Sequence, residues 1–221
     1  QPAKLFGERA AGARVWVEGD RLRLADEGGA RDLVGVGELA IQGAPNLLNA
    51  MAAVAALRAL GADPAALAAA LPTFRGLPHR QRVVGRLGGV VFVDDSKGTN
   101  VAAVRAGLAG YGAGVVLIAG GRGKGEDYRP LRDALGAVEA VVLIGEEGPA
   151  IGAALAGAVP QHAAATLEEA VALAARLAAP RGTVLLSPAC ASFDMFRDYH
   201  HRGEAFAAAA RALGAVDAGA A

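Results

Sequence analysis

The chain has 221 residues, of which 53% are hydrophobic and 20% charged, and its 22 lysines and arginines balance 22 aspartates and glutamates. Such a composition supplies ample core for one large domain or two small ones, and its neutrality gives no electrostatic support for a nucleic-acid partner. One cysteine, Cys190, excludes an intrachain disulfide and favours a reducing compartment, and no apolar run is long enough for a membrane span.

Residues 1–45 read as short strands and turns. Ala13–Glu18 and Arg21–Leu24 flank Gly19-Asp20, a two-residue hairpin signal, and Asp26-Glu27-Gly28-Gly29 marks a second turn. Asn46 to Leu60 reads as a helix between Pro45 and Gly61, with Leu47, Leu48, Met51, Val54, Ala55 and Leu57 on one broad apolar face. Asp63-Pro64 opens a shorter helix, stopped at Pro72. The Gly- and Pro-containing stretch Phe74–Arg80 then reads as a linker, with a domain boundary near residues 78–85.

From Val83 the pattern becomes alternating strands and helices. Strands are expected at 83–87, 90–94, 115–119, 140–144, 159–162 and 183–187, and helices at 100–109, 128–136, 147–156, 167–178 and 200–213. Continuous apolar runs such as Val115-Val116-Leu117-Ile118 suit buried parallel strands. The expected fold class is therefore α/β: a Rossmann-like, mostly parallel sheet in the C-terminal part, covered on both faces.

Three strand ends carry chemistry. Val90–Val93 runs into Asp94-Asp95-Ser96-Lys97-Gly98-Thr99-Asn100, with Thr99 or Asn100 placed to cap the next helix. Val115–Ala119 leads into Gly120-Gly121-Arg122-Gly123-Lys124-Gly125, where glycines let backbone N–H groups approach an anion and two cations add charge; the spacing is neither a Walker A loop nor G-x-G-x-x-G. Val184–Leu186 leads into Ser187-Pro188-Ala189-Cys190-Ala191-Ser192-Phe193, without a nucleophile elbow, so neither Ser192 nor Cys190 reads as a nucleophile. Alone, the stretch after Val93 reads as a structural turn, and the glycine-rich loop after Ala119 is as compatible with a flexible basic turn as with an anion site. His79, His162, His200 and His201 show no metal-ligand spacing, and His79-Arg80 alone reads as a solvated loop. Parallel strands point their carboxyl ends one way, so the three stretches would share a rim suited to a small carboxylate or phosphate.

Taken together, Asn46–Ala50, Arg75–Arg80, Asp94–Asn100, Gly120–Lys124 and Ser187–Ser192 resemble, in this order, the Mur ligases of bacterial cell-wall synthesis, and among them the D-glutamate-adding branch. The resemblance covers residues 40–213. It implies that residues 1–80 are the later part of a central ATP-binding domain and 81–221 a C-terminal, D-glutamate-binding domain. It also implies a cytoplasmic, monomeric enzyme without nucleic-acid or membrane partners, joining D-glutamate to UDP-N-acetylmuramoyl-L-alanine in peptidoglycan precursor synthesis with ATP and Mg²⁺, through an acyl phosphate.

Carried over by motif, Asn46, Asn49, Arg80, Asp95 and Lys97 would contact ATP, with Lys97 and Asp95 brought into the chemistry by domain closure. Thr99, Lys124, Ser192, Phe193 and Tyr199 would surround D-glutamate. Two departures stand out: Pro45 precedes Asn46 where the family usually has histidine, and Tyr199 stands where phenylalanine is common. No P-loop and no Mg²⁺-supporting lysine fall within the chain, so it is expected to be the C-terminal part of a longer enzyme, inactive alone, with no metal ligand of its own. A non-catalytic small-anion or nucleotide-binding module, or another Mur or folylpolyglutamate-type amide ligase, are the alternatives.

Overall fold

The computed structural model describes residues 6–7, 14–26, 29–41 and 44–216. The chain divides into two compact units, Gln1–Gly76 and Leu77–Ala221.

The first unit holds a four-stranded sheet of β1 (Phe6–Gly7), β2 (Val15–Glu18), β3 (Arg21–Asp26) and β4 (Gly29–Gly35), in that spatial order. The expected hairpin is present: Glu18 pairs with Arg21, and Gly19 takes φ 63°, the left-handed region a two-residue hairpin loop requires. Val15, Leu22, Leu24, Leu33 and Val34 pack on Met51 and Val54 of α1 (Ala44–Ala59) and Leu67 of α2 (Pro64–Ala70). Helix α2 starts where Asp63 accepts a bond from the Ala66 N–H at 3.3 Å and Pro64 fills the first turn. The apolar face of α1 is narrower than the sequence suggests. Leu48 and Leu57 are 48% and 44% exposed, because the small sheet covers only the stripe running through Met51, Val54 and Ala55.

The second unit is a six-stranded sheet, order β5-β6-β10-β7-β8-β9. Its strands are β5 (Arg82–Leu87), β6 (Gly89–Asp94), β7 (Val115–Gly120), β8 (Val138–Ile144), β9 (Gln161–Ala163) and β10 (Arg181–Leu186). Only β5 runs antiparallel to its neighbour; the other pairs are parallel, as continuous apolar strands predict. Helices are α3 (Val101–Leu108), α4 (Gly148–Ala154), α5 (Leu167–Ala178) and α6 (Tyr199–Ala212).

Strand alternation splits the core in two. Val115 and Leu117 face Val104, Leu108, Leu131 and Ile151 on one side. Val116 and Ile118 face Val171, Ala174, Phe206 and Ala210 on the other. The helix expected at 128–136 is instead a 3-10 stretch over Arg129–Ala137, tighter than an α-helix, opening at Pro130 and burying Leu131 and Leu135. Strand β10 lies between β6 and β7, so the three chemistry-bearing strand ends emerge side by side.

Candidate functional site

The end of β6 is built inward before it turns outward. Asp94, Asp95 and Ser96 are all buried, whereas Lys97 and Thr99 are partly exposed. Buried carboxylates are costly unless their oxygens are bonded. Asp94 accepts the Ser96 N–H at 2.9 Å and pairs with His79 Nδ1 at 2.7 Å. Asp95 accepts the Ser187 hydroxyl at 2.6 Å and the Gln81 N–H at 3.3 Å. Burial nonetheless pushes the Asp95 carboxyl up to about 6. Asn100 caps α3, its side chain accepting the Ala103 N–H at 2.8 Å, while Glu126 accepts the Val101 N–H at 2.8 Å.

Backbone bonds lock the loops together. The Ala189 N–H donates to Gly98 O at 2.9 Å, and Arg122 and Ala191 exchange a pair of bonds, each 2.9 Å. Gly98 permits the first approach: a Cβ there would lie 2.6 Å from Ser187 Oγ and 2.7 Å from Asp95 Oδ2. Arg202 on α6 is 1% exposed and ties the same loops from below. Its guanidinium donates to Ser96 Oγ (3.0 Å), Ser96 O (2.9 Å), Cys190 O (3.1 Å) and Ala191 O (3.2 Å).

Above this scaffold stand the cations. Lys124 Nζ lies 3.3 Å from Thr99 O and 3.4 Å from Thr99 Oγ1, joining the ends of β6 and β7. Lys97 Nζ sits 3.9 Å from the centroid of the Tyr199 ring, a cation–π contact. The structure therefore brings Thr99 to Lys124, and Lys97 to Tyr199. Ser192 is 2% exposed, and its carbonyl accepts from Met195 and Phe196, making a tight turn; Phe193 beside it is 61% exposed. Arg80 is exposed at the start of the second unit. Asn46 and Asn49 lie on α1 of the first unit, Asn49 exposed. Arg122, read from sequence as charge for an anion, is instead held by Glu146 through bonds of 3.0 and 3.2 Å, so its charge is already matched.

Two features escaped sequence reasoning. His79 is no solvated loop residue, since it is bonded to a buried carboxylate. Arg202 was unmarked, although it shares a helix stripe with the buried Phe206, Ala209 and Ala210, a spacing that could have exposed it.

Residues 79–190 match the family model described as Mur ligase, glutamate ligase domain. The chain belongs to the Mur ligase family. It is 48% identical to the UDP-N-acetylmuramoylalanine–D-glutamate ligase of Nitrosospira multiformis, over 99% of this chain and 45% of the relative. It is 51% identical to the protein of that name from Bordetella pertussis, over 85% of this chain and 37% of the relative. The chain thus spans less than half the length of these curated relatives. Among solved structures, the UDP-N-acetylmuramate–alanine ligase MurC of Thermotoga maritima matches with a TM-score of 0.65 at 19% identity, over 94% of this chain and 48% of that one. Folylpolyglutamate synthase of Mycobacterium tuberculosis, solved with ADP, matches with a TM-score of 0.62 at 21% identity, over 87% of this chain and 44% of that one. At such identities both likenesses establish the fold, that of the Mur ligases.

Proposed function

We propose that this Mur-family chain is the C-terminal part of an ATP-dependent ligase that joins D-glutamate to UDP-N-acetylmuramoyl-L-alanine. The observation that carries the reading is the Thr99–Lys124 pair. A hydroxyl and an ammonium from two neighbouring strand ends sit within 3.4 Å of each other at a partly exposed rim, inside the region that matches the glutamate ligase domain. Such a pair suits an amino-acid carboxylate. Ser192, Phe193 and Tyr199 complete the D-glutamate surroundings in this proposal. Arg80, Asp95 and Lys97 on the second unit and Asn46 and Asn49 on the first are the ATP contacts.

The reaction proposed transfers the terminal phosphoryl group of ATP to the alanyl carboxylate, releasing ADP. The D-glutamate amine then attacks the acyl carbon, and the tetrahedral intermediate expels phosphate as the amide forms. Charge builds on phosphate oxygens and on the intermediate, which is where Lys97 and Arg80 serve. Among the described residues no three His, Cys, Asp or Glu side chains converge to hold a metal. No helix among the described residues is long and apolar enough to cross a membrane. A cytoplasmic monomer remains part of the proposal.

Phosphate release by the full-length protein tests it. Release should require ATP, UDP-N-acetylmuramoyl-L-alanine and D-glutamate together, and Lys124→Ala should raise the D-glutamate KM by at least about tenfold, the loss expected for one charged carboxylate contact. Release that is indifferent to D-glutamate would overturn the assignment and favour a small-anion-binding module.

A further inference from the structure

Arg80 sits between two residues that share an unusual backbone. His79 takes φ 61° and Gln81 φ 51°, both in the left-handed region. For residues with a Cβ this costs roughly 1 kcal/mol or more each and persists only where neighbours hold it. Here the holding groups can be named. The Lys97 N–H donates to His79 O at 3.0 Å. His79 Nδ1 meets Asp94 Oδ2 at 2.7 Å. The Gln81 N–H donates to Asp95 Oδ1 at 3.3 Å, and the Gln81 side-chain oxygen accepts the Tyr111 hydroxyl at 2.7 Å. The His79 ring stands edge-on to Tyr199 and His200, with centroids 6.0 and 5.0 Å away.

Helix α6 is bare where this happens. A Cβ on Gly203 would collide with His79 Nδ1 and lie 2.7 Å from Asp94 Oδ2. Two adjacent buried carboxylates, a bare helix turn and two left-handed residues are thus spent on three residues of chain. The residue at the centre is exposed, and among the described residues no hydrogen bond or ion pair holds its guanidinium.

We propose that Asp94, Asp95, His79 and Gly203 form a clamp whose purpose is to present Arg80 in one fixed direction to a polyphosphate. Asp94, His79 and Gly203 are positioning residues acting through Arg80, while Asp95, an ATP contact in the ligase reading, also anchors the Gln81 N–H. That the polyphosphate is ATP rests on the ligase reading above; the clamp itself rests on this chain's own bonds. An arginine presented from a rigid segment loses less freedom on binding phosphate than one on a mobile loop.

The test has two arms. In this chain, NMR three-bond couplings from Hα of His79 and Gln81 to the preceding carbonyl carbon should be large in the wild type, as left-handed φ makes them. Asp94→Asn and Gly203→Ala should abolish them while amide shifts of β7 and β8 stay in place. Couplings that survive both substitutions would overturn the clamp. In the full-length protein, Asp94→Asn should lower kcat/KM for ATP by on the order of tenfold to 10²-fold, as misplacement of a positioning group does, with the D-glutamate KM unmoved. Combined with Arg80→Ala it should cost no more than Arg80→Ala alone. Multiplicative losses would show that the carboxylate does not act through Arg80. If the full-length protein performs no ligation, the ligase reading fails. The clamp then stands or falls on the couplings and on tripolyphosphate titrated against the Arg80 Nε signal: a shift in the wild type lost in Asp94→Asn supports it, and equal response in both overturns it.

Discussion

Arg202 Nε lies 3.0 Å from the hydroxyl of Ser96, a residue 106 positions earlier in the chain. The contact runs from α6 to the end of β6, and the same guanidinium reaches the carbonyls of Cys190 and Ala191 after β10. Among the described residues no carboxylate bonds it directly. Burial lowers its proton affinity to about 10, which leaves it charged at neutral pH. A buried cation held mostly by carbonyls acts as a rivet between loops, and the Lys97–Thr99 rim stands on those loops.

Arg202→Met should therefore destabilise the chain by roughly 2–4 kcal/mol, because it leaves several buried acceptors without donors while removing one buried charge. Arg202→Lys should fall between, since an ammonium cannot reproduce the planar fork. Urea denaturation checks both, and backbone amide exchange at 96–99 and 189–192 should accelerate in each variant. A stability within about 0.5 kcal/mol of wild type, the range of ordinary surface changes, would mean the rivet carries nothing.

Gly98→Ala probes the contact between the first and third strand ends. The added methyl would lie 2.6 Å from Ser187 Oγ and 2.7 Å from Asp95 Oδ2, so the Ser187–Asp95 bond must open or the loop must shift. Overpacking of this kind costs about 1–3 kcal/mol. Gly112→Ala is the control, as a Cβ there meets nothing within 4 Å. Thermal unfolding should separate the two variants clearly.

Much of this architecture is legible in sequence because it depends on local pattern. Unbroken apolar strands fix the parallel sheet, and Gly19-Asp20 fixes the hairpin. The polar residues after β6, β7 and β10 mark the rim, since parallel strands must end together. What escapes is tertiary. The helical stripe of Arg202 with Phe206, Ala209 and Ala210 hints that it points inward, but nothing local names the loop atoms it binds or tells a reader that His79 meets a carboxylate fifteen residues on. Arg122 looks like free charge until Glu146, on the loop after β8, is seen beside it. Leu48 and Leu57 look like core on a helical wheel, yet the sheet beneath α1 is too narrow to reach them.

Asp95 makes stability depend on pH in a direction opposite to that of most carboxylates. Burial raises it from 3.8 to about 6. Below about pH 4 the group is protonated both folded and unfolded, and above about pH 6 it is ionised in both. Between these values the folded chain binds the extra proton, so stability from this group is fully present below the unfolded value and is lost as pH rises through the folded one. The loss is up to about 3 kcal/mol, because each pH unit separating the folded from the unfolded value is worth about 1.36 kcal/mol. The stability of Asp95→Asn relative to wild type should accordingly improve by up to that amount between about pH 4 and pH 7. A relative stability that is flat across this range would show that Asp95 is solvated in solution.

Cys190 is 1% exposed, and its sulfur lies 3.2 Å from the Tyr128 hydroxyl. Burial pushes the thiol up to about 11, so at about pH 8 it carries almost no thiolate. A disulfide reagent should therefore label the native chain only through opening of the second unit, at least on the order of 10³-fold more slowly than the urea-unfolded chain. The rivet sharpens this expectation, because Arg202 binds the Cys190 carbonyl at 3.1 Å. Arg202→Met should speed labelling in proportion to the stability it removes, so that one reagent reads both the burial of the thiol and the hold of the guanidinium. Fast labelling of the wild type at a rate independent of urea would contradict the placement of both residues.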